Sequence, residues 1–319
     1  MRFLITGACG FIGKHLCVAL LKQNHNVIGI DNFNNDIYPD SFKYVNSTNL
    51  SKYSNYIEIR DNILNNDYVL IHNPDVVIHL AAHANVRKSF LNPHIYVQNN
   101  ILVTSKIVDE LLKCENPPLF IYASSSSVYG KNTKIPFSET DTLNSICNMY
   151  ALTKKTCEDI VSMYCAQSNL KAIGLRFFTV YGPGGRPDMG IYTFLNKIKN
   201  GDEVTIYGNG VIKRDFTYVE DIIKGILETL KLKLHNGEHR VYNLGNHSPV
   251  DLNTVIELCE KTVGKKANIV YKPLPKGEVP ITYADISKAN TDLNFIPIWT
   301  LEKGIQATYD WMQDLNLSN

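Results

Sequence analysis

Short apolar runs recur through the first half of the chain, at Arg2 to Thr6, Asn26 to Asp31, Tyr56 to Ile59, Val76 to Ala81, Leu119 to Ser124 and Ala172 to Phe178. Each is short and apolar on successive positions, as a strand covered on both faces must be. Between them lie segments with apolar residues at helical spacing: Phe11 to Gln23, His94 to Lys113 and Ile146 to Gln167, the last with Met149, Leu152, Ile160, Val161 and Tyr164. Strand and helix in alternation predict βαβ units, and so an α/β, doubly wound parallel sheet. After Gly182 the pattern becomes irregular, punctuated by Gly and Pro, with helices predicted at Ile191 to Lys199, Leu252 to Val263 and Leu301 to Asp314. We therefore expect a larger domain over 1–180, to which segments near 215–225 and 240–250 return, and a smaller C-terminal α/β lobe over 181–319. The Asn-rich stretch Asn32 to Asn55 reads as a surface excursion.

Composition narrows the partners. Lys plus Arg (32) nearly cancels Asp plus Glu (31) in these 319 residues, which argues against a nucleic-acid or anionic-lipid footprint and for a small ligand. No apolar run approaches the eighteen or so residues of a membrane span, and Met1 leads straight into a strand pattern rather than a signal peptide. A cytosolic, soluble protein is expected. The 7 cysteines contain no C-x-x-C and mostly occupy apolar patterns, as reduced core thiols do. Lysine outnumbers arginine 25 to 7, so Arg87, Arg176, Arg186 and Arg214 stand out as positions where a planar fork matters.

Gly7, Gly10 and Gly13 form G-x-x-G-x-x-G directly after the first predicted strand and at the start of a helix. There the backbone amides, including those of Phe11 and Ile12, can face a pyrophosphate. The second strand ends at Asp31, whose carboxylate can accept both hydroxyls of an adenine ribose and would repel a 2′-phosphate, so a Rossmann domain with NAD is favoured over NADP. The neighbouring Asn32, Asp61 past the third strand, and the Leu80-Ala81-Ala82 turn complete the expected cofactor site.

Tyr150 and Lys154 lie one turn apart on a predicted helix, so an ammonium can sit beside a phenol. With 18 tyrosines and 25 lysines, about one such spacing arises by chance; what distinguishes this one is its place after the strand ending at Ser124 and Ser125. A free tyrosine, with pKa about 10, is a poor base at neutral pH. We expect Lys154 and the positive nicotinamide to lower it, so that Tyr150 takes a proton from a sugar hydroxyl held by Ser125.

T-G-A-C-G-F-I-G (Thr6 to Gly13), H-L-A-A (His79 to Ala82), Asn99, S-S-S-V-Y-G (Ser125 to Gly130), Y-A-L-T-K, R-F-F-T-V-Y-G-P (Arg176 to Pro183) and R-D-F-T-Y-V-E-D (Arg214 to Asp221) occur in this order. Together they resemble the extended short-chain dehydrogenase/reductases that act on nucleotide sugars, over nearly the whole chain. The resemblance implies a homodimer formed through Tyr96 to Leu112 and Met149 to Tyr164, and a cofactor contact at Asn99. The run G-P-G-G-R-P-D-M and the later Y-N-L-G-N-H-S-P-V are similar to UDP-glucuronate 4-epimerases in particular. They imply a UDP-sugar substrate whose carboxylate meets Arg186 and Thr179, with Arg214 at the diphosphate and Tyr207 and Gly208 at the uridine.

Other options stay open in the residues. Arg186 can instead pair with Asp188, and Arg87 either lines the pocket or makes a salt bridge at a helix start. Dehydratases and decarboxylases that resemble this chain place acidic residues just after the catalytic Ser or Thr, where Ser126 and Ser127 stand here. Glu278 occupies a position where the resembled family has Asp, and Asn85 one where it has Gly. A UDP-glucose or N-acetylated UDP-sugar 4-epimerase is the rival enzyme, and a dinucleotide sensor without turnover the rival of another class. His79 and His83 are four apart on a strand and turn, which makes a metal site improbable.

Overall fold

Seven parallel strands form the centre of the computed structural model, which describes residues 1–275 and 278–317. In chain order they are β1 (Arg2–Thr6), β2 (Asn26–Asp31), β3 (Tyr56–Arg60), β4 (Val76–His79), β5 (Leu119–Ser125) and β6 (Ala172–Phe177), joined after β7 (Thr179–Tyr181), β8 (Glu203–Tyr207) and β9 (Lys213–Tyr218) by β10 (His239–Leu244). Their spatial order is β10-β6-β5-β4-β1-β2-β3, so the connection reverses direction between β1 and β4. That reversal opens a crevice at the carboxyl ends of the strands, where ligands bind in doubly wound sheets.

The strands read as apolar runs because both faces are covered. In β1, Phe3 and Ile5 pack into a core with Leu16 and Leu20 of the helix Phe11–Lys22 and Ile222 and Ile226 of the helix Val219–Thr229. Leu4, pointing the other way, packs with Ile107 of the helix Val103–Lys113 and Val161 of the helix Met149–Ala166. Successive side chains on a strand alternate between faces, so one apolar run supplies both cores.

Beyond Phe177 the chain leaves the sheet, and β7 pairs with β9, which pairs antiparallel with β11 (Pro249–Asp251). β8 pairs with β12 (Asn268–Lys272), and a third core of Tyr181, Phe194, Leu195, Ile206, Phe216 and Ile256 closes this part. Two expectations need correction. The stretch Asn32 to Asn55 is not a surface excursion: Asn46 donates to the Cys9 carbonyl at 2.9 Å, Leu50 is fully buried in the helix Ser41–Leu50, and Tyr38 and Lys43 line the central cavity. The helix predicted over His94 to Lys113 is interrupted by a π turn at Val97–Leu102. That wide turn accommodates buried Asn100, whose amide bonds both the N–H and the carbonyl of His83 and the Thr153 hydroxyl.

Arg176 on β6 is not a ligand-facing arginine. Its Nε and Nη2 fork onto Glu158 at 2.9 and 2.8 Å beneath the sheet, its Nη1 donates to the Tyr129 hydroxyl at 2.9 Å, and Ser124 donates to the same carboxylate at 2.5 Å. Burial works against the guanidinium's charge, but Glu158 and Tyr129 hold it charged. Removing one partner leaves the other as an unpaired buried charge. Arg176→Ala should therefore cost about 3–5 kcal/mol in urea unfolding, while the paired Arg176→Met/Glu158→Leu change should cost much less.

His15, His79 and His239 have pKa values pushed down to about 4, about 3 and about 4, chiefly by burial. The unfolded chain takes up these protons near the ordinary pKa of about 6.5. Between there and about 4 the unfolded state binds more protons, so stability present at neutral pH is lost as pH falls through that window. Urea midpoints from pH 7.5 to 4.5 should show this slope, and a His79→Asn variant should show a shallower one.

Candidate active site

A cavity of about 800 Å³ opens at the β1/β4 reversal and extends to the lobe built on β7, β8 and β9. At its floor Gly7 has φ of +70°, and a side chain there would place Cβ 2.8 Å from the Ala81 nitrogen. A Cβ on Gly13 would lie 2.1 Å from the Gly7 carbonyl oxygen. Two backbones and a helix thus meet where only glycine fits. Gly10 precedes the helix in extended conformation and no side chain caps it, so the first amides, those of Phe11, Ile12 and Gly13, remain for a ligand. This cradle, with a carboxylate at the end of β2, fits the pyrophosphate and ribose of NAD.

Asp31 accepts from Cys9 N at 3.1 Å and Phe33 N at 2.9 Å, and Lys43 Nζ sits 3.4 Å from its Oδ1. Lys43 is a cavity residue that the sequence pattern did not single out. Asn32, Asp61, Leu80, Ala81, Ala82 and Asn99 also line the cavity. Asp61 is already engaged by Asn62 N, Asn65, Asn66 and the Tyr68 hydroxyl, which lower its pKa, Tyr68 most. Asn99 donates to the Ile95 carbonyl at 2.9 Å.

Ser125, Tyr150 and Lys154 meet in the same cavity. Asn148 caps the helix by accepting from Ala151 N at 2.8 Å, which starts it just before Tyr150. Lys154 reaches back to β5 and donates to the Ala123 carbonyl at 2.8 Å, two residues from Ser125. Ser125 Oγ accepts from Ser127 N at 3.1 Å and hydrogen-bonds Tyr150. The expected lowering of the Tyr150 pKa by Lys154 is not what this geometry gives. Burial raises the phenol, opposed by the Ser125 hydrogen bond and the Arg186 guanidinium, because the lysine is turned to a backbone carbonyl. Burial likewise lowers Lys154.

The other end of the cavity carries charge. Arg186 forks onto Asp188, Nε to Oδ1 at 2.9 Å and Nη2 to Oδ2 at 2.8 Å, while Tyr38 lies under its face at 5.9 Å. Of the sequence options for Arg186, the pairing with Asp188 is present, and the paired side chain lines the cavity with Thr179 and Ser126. Arg214 donates to Glu278 at 2.9 Å, and Arg87 meets the same carboxylate at 3.4 Å while stacking on Tyr207 at 4.4 Å. Arg87, in the first turn of the helix Val86–Leu91, both lines the cavity and makes its ion pair there, with a partner distant in sequence. Tyr38 is a further cavity residue that no periodicity marked, while Tyr96, whose ring meets Tyr150 edge-on at 6.4 Å, and Asn100, which bonds Thr153, are buried behind the lining. His79 bonds Thr6 and Thr104, His83 bonds Asp36, and no cluster able to hold a metal occurs among the described residues.

A model of the NAD dependent epimerase/dehydratase family matches residues 3–245. The chain belongs to this family. Among epimerase/dehydratase relatives, Protein CapI of Staphylococcus aureus is 38% identical over 98% of both chains. UDP-glucuronate 4-epimerase 1 of Arabidopsis thaliana is 41% identical over 97% of this chain and 76% of its own length. The crystal structure of UDP-glucuronic acid 4-epimerase from Bacillus cereus, in complex with UDP-glucuronic acid and NAD, superposes with a TM-score of 0.93 at 37% identity, covering 99% of this chain and 100% of that one.

Gly13→Ala should weaken NAD binding at least tenfold, since about 1.4 kcal/mol of lost amide contact suffices. Titration of the protein with NAD, followed by calorimetry, measures this against the parent.

Proposed function

We propose that this protein interconverts UDP-glucuronate and UDP-galacturonate by NAD-dependent epimerisation at C4. The observation that carries the reading is the convergence of Ser125, Tyr150 and Lys154 with Arg186 in one cavity whose floor fits a dinucleotide. Relatives named for this activity, one of them solved with both ligands, support it. NAD, held by the glycine-rich turn and Asp31, would supply a reversible hydride acceptor for the sugar C4.

The chain's own groups supply the rest. Tyr150 accepts the proton of the C4 hydroxyl and later gives it back, while Ser125 holds the oxygen by hydrogen bond. The phenol that burial raises is brought toward its working range by positive charge, from Arg186 now and from Lys154 once that ammonium turns toward bound cofactor. Arg186 offers the amino group outside its Asp188 fork to the sugar carboxylate, helped by Thr179. Gripping that carboxylate also discourages its loss from the 4-keto sugar, a β-keto acid. Arg214, Arg87 and Tyr207 hold the nucleotide, with Glu278 setting both arginines. Ser126 and Ser127 offer no carboxylic acid beyond Ser125, which favours simple oxidation and re-reduction over dehydration.

The same reading takes 1–180 with its returning segments as the NAD-binding domain and 181–319 as mainly the substrate lobe. Homodimerisation is supported by exposed Leu102, Leu112, Leu152, Met163 and Tyr164 on the two long helices flanking the sheet. A cytoplasmic setting, with a role in polysaccharide biosynthesis, suits the buried thiols of Cys9, Cys17, Cys157, Cys165 and Cys259. The neutralisation of Arg186 by Asp188 is the one observation that favours a neutral UDP-sugar instead.

Purified protein incubated with UDP-glucuronate, UDP-glucose and UDP-N-acetylglucosamine, with products resolved by chromatography, should convert the uronate most efficiently. Turnover of a neutral sugar alone would overturn the assignment. Tyr150→Phe should lower kcat by about 10²- to 10⁴-fold with NAD still bound.

A further inference from the structure

Asn85 joins the two halves of the cavity. It follows β4 in the cofactor half, yet its Nδ2 donates at 2.9 Å to Oδ2 of Asp188, 103 residues away in the loop after β7. That same carboxylate holds Arg186 by two bonds. The other end of the Asn85 amide accepts from Lys88 N at 2.9 Å and caps the helix Val86–Leu91. Its backbone carbonyl accepts from the Tyr96 hydroxyl at 2.6 Å, and Tyr96 packs against Tyr150. One residue thereby links the Arg186–Asp188 pair, through Tyr96, to the ring of Tyr150.

The chemistry requires an amide at this length. Aspartate would keep the cap but repel Asp188, serine would keep the cap without reaching across, and glycine would do neither. Asp188, with three donated bonds and Arg186 beside it, has a lowered pKa despite burial, so it stays charged and the fork stays closed. A closed fork takes one N–H each from Nε and Nη2 and leaves the two of Nη1 and the second of Nη2 for an incoming anion. Without the strap, Asp188 can swing with its loop and Arg186 can follow it away from the sugar.

We propose that Asn85 is a positioning residue that sets the preference of this site for a UDP-sugar bearing a carboxylate over its neutral counterpart. The inference rests on the uronate epimerase reading above.

The test uses NAD-loaded protein carrying Tyr150→Phe, which binds without turnover, with and without N85S. UDP-glucuronate and UDP-glucose are titrated into each and followed by calorimetry, with thermal melting as the check on folding. N85S keeps a helix cap and should lower the affinity for UDP-glucuronate about 3- to 10-fold, the range of a typical net hydrogen bond, with UDP-glucose unchanged. N85D, which sets two carboxylates against each other, should lower it further, and serves alone should N85S fail to fold. In the active background the same variants should raise KM for the uronate with kcat nearly unchanged. An unchanged ratio of affinities, or equal weakening of both sugars, would overturn the strap while leaving the epimerase reading intact. A parent protein without preference for the uronate would overturn both.

Discussion

The buried pair of Arg176 and Glu158 ties together the three elements on which the site stands. Glu158 is one turn beyond Lys154 on the helix Met149–Ala166, Arg176 lies on β6, and Ser124, bonded to the same carboxylate, is on β5 beside Ser125. Charges buried this deeply tolerate little misalignment, because a slip leaves both desolvated and unpaired. The helix is therefore held at one height and one rotation against the sheet. Lys154 adds a bond to the Ala123 carbonyl on the same strand, and Tyr150 is placed opposite Ser125 as a result. Neither Arg176 nor Glu158 lines the cavity, yet the pair governs the geometry of Ser125, Tyr150 and Lys154, which do.

A second constraint acts at the floor of the cavity, and it is steric. The approach of Gly7 to Ala81 and of Gly13 to Gly7 joins β1, β4 and the first helix without intervening side chains. His15, one turn further along that helix, bonds the Pro183 carbonyl at 2.7 Å, so the glycine-rich turn also anchors the start of the loop bearing Arg186. The dinucleotide cradle and the loop bearing Arg186 are thus both tied to the first turns of one helix.

What could be read from the chain alone follows from range. Strands such as Phe3-Leu4-Ile5 and Val76-Val77-Ile78 announce themselves because burial on both faces is written into consecutive residues. The turns after β1 and β5 and the Tyr150/Lys154 helix are local patterns, and the cap at Asn148 is equally local. Tyr38 and Lys43 were hidden, because their segment is polar and aperiodic and acquires meaning only when Lys88 and His83 draw it over the cavity. The Arg87–Glu278 and Asn85–Asp188 contacts span 191 and 103 residues and leave no trace in any window. The orientation of Lys154 toward a carbonyl was hidden for another reason: spacing along a helix reports which residues share a face, not where a flexible side chain ends.

The return of β10 to the central sheet carries a consequence for how the protein is made. β10 pairs along the whole of β6, and its Asn243 accepts from Tyr129, the residue that steadies Arg176. During synthesis the sheet stays open at β6 until residue 244 has left the ribosome, more than sixty residues after β6 itself. A chain cut where the sequence pattern changes, near residue 180, would present a bare row of peptide groups and a Tyr129 hydroxyl without its Asn243 acceptor. Such an edge recruits other strands, so the visible boundary in the sequence marks a change of lobe and not a unit that can be expressed by itself.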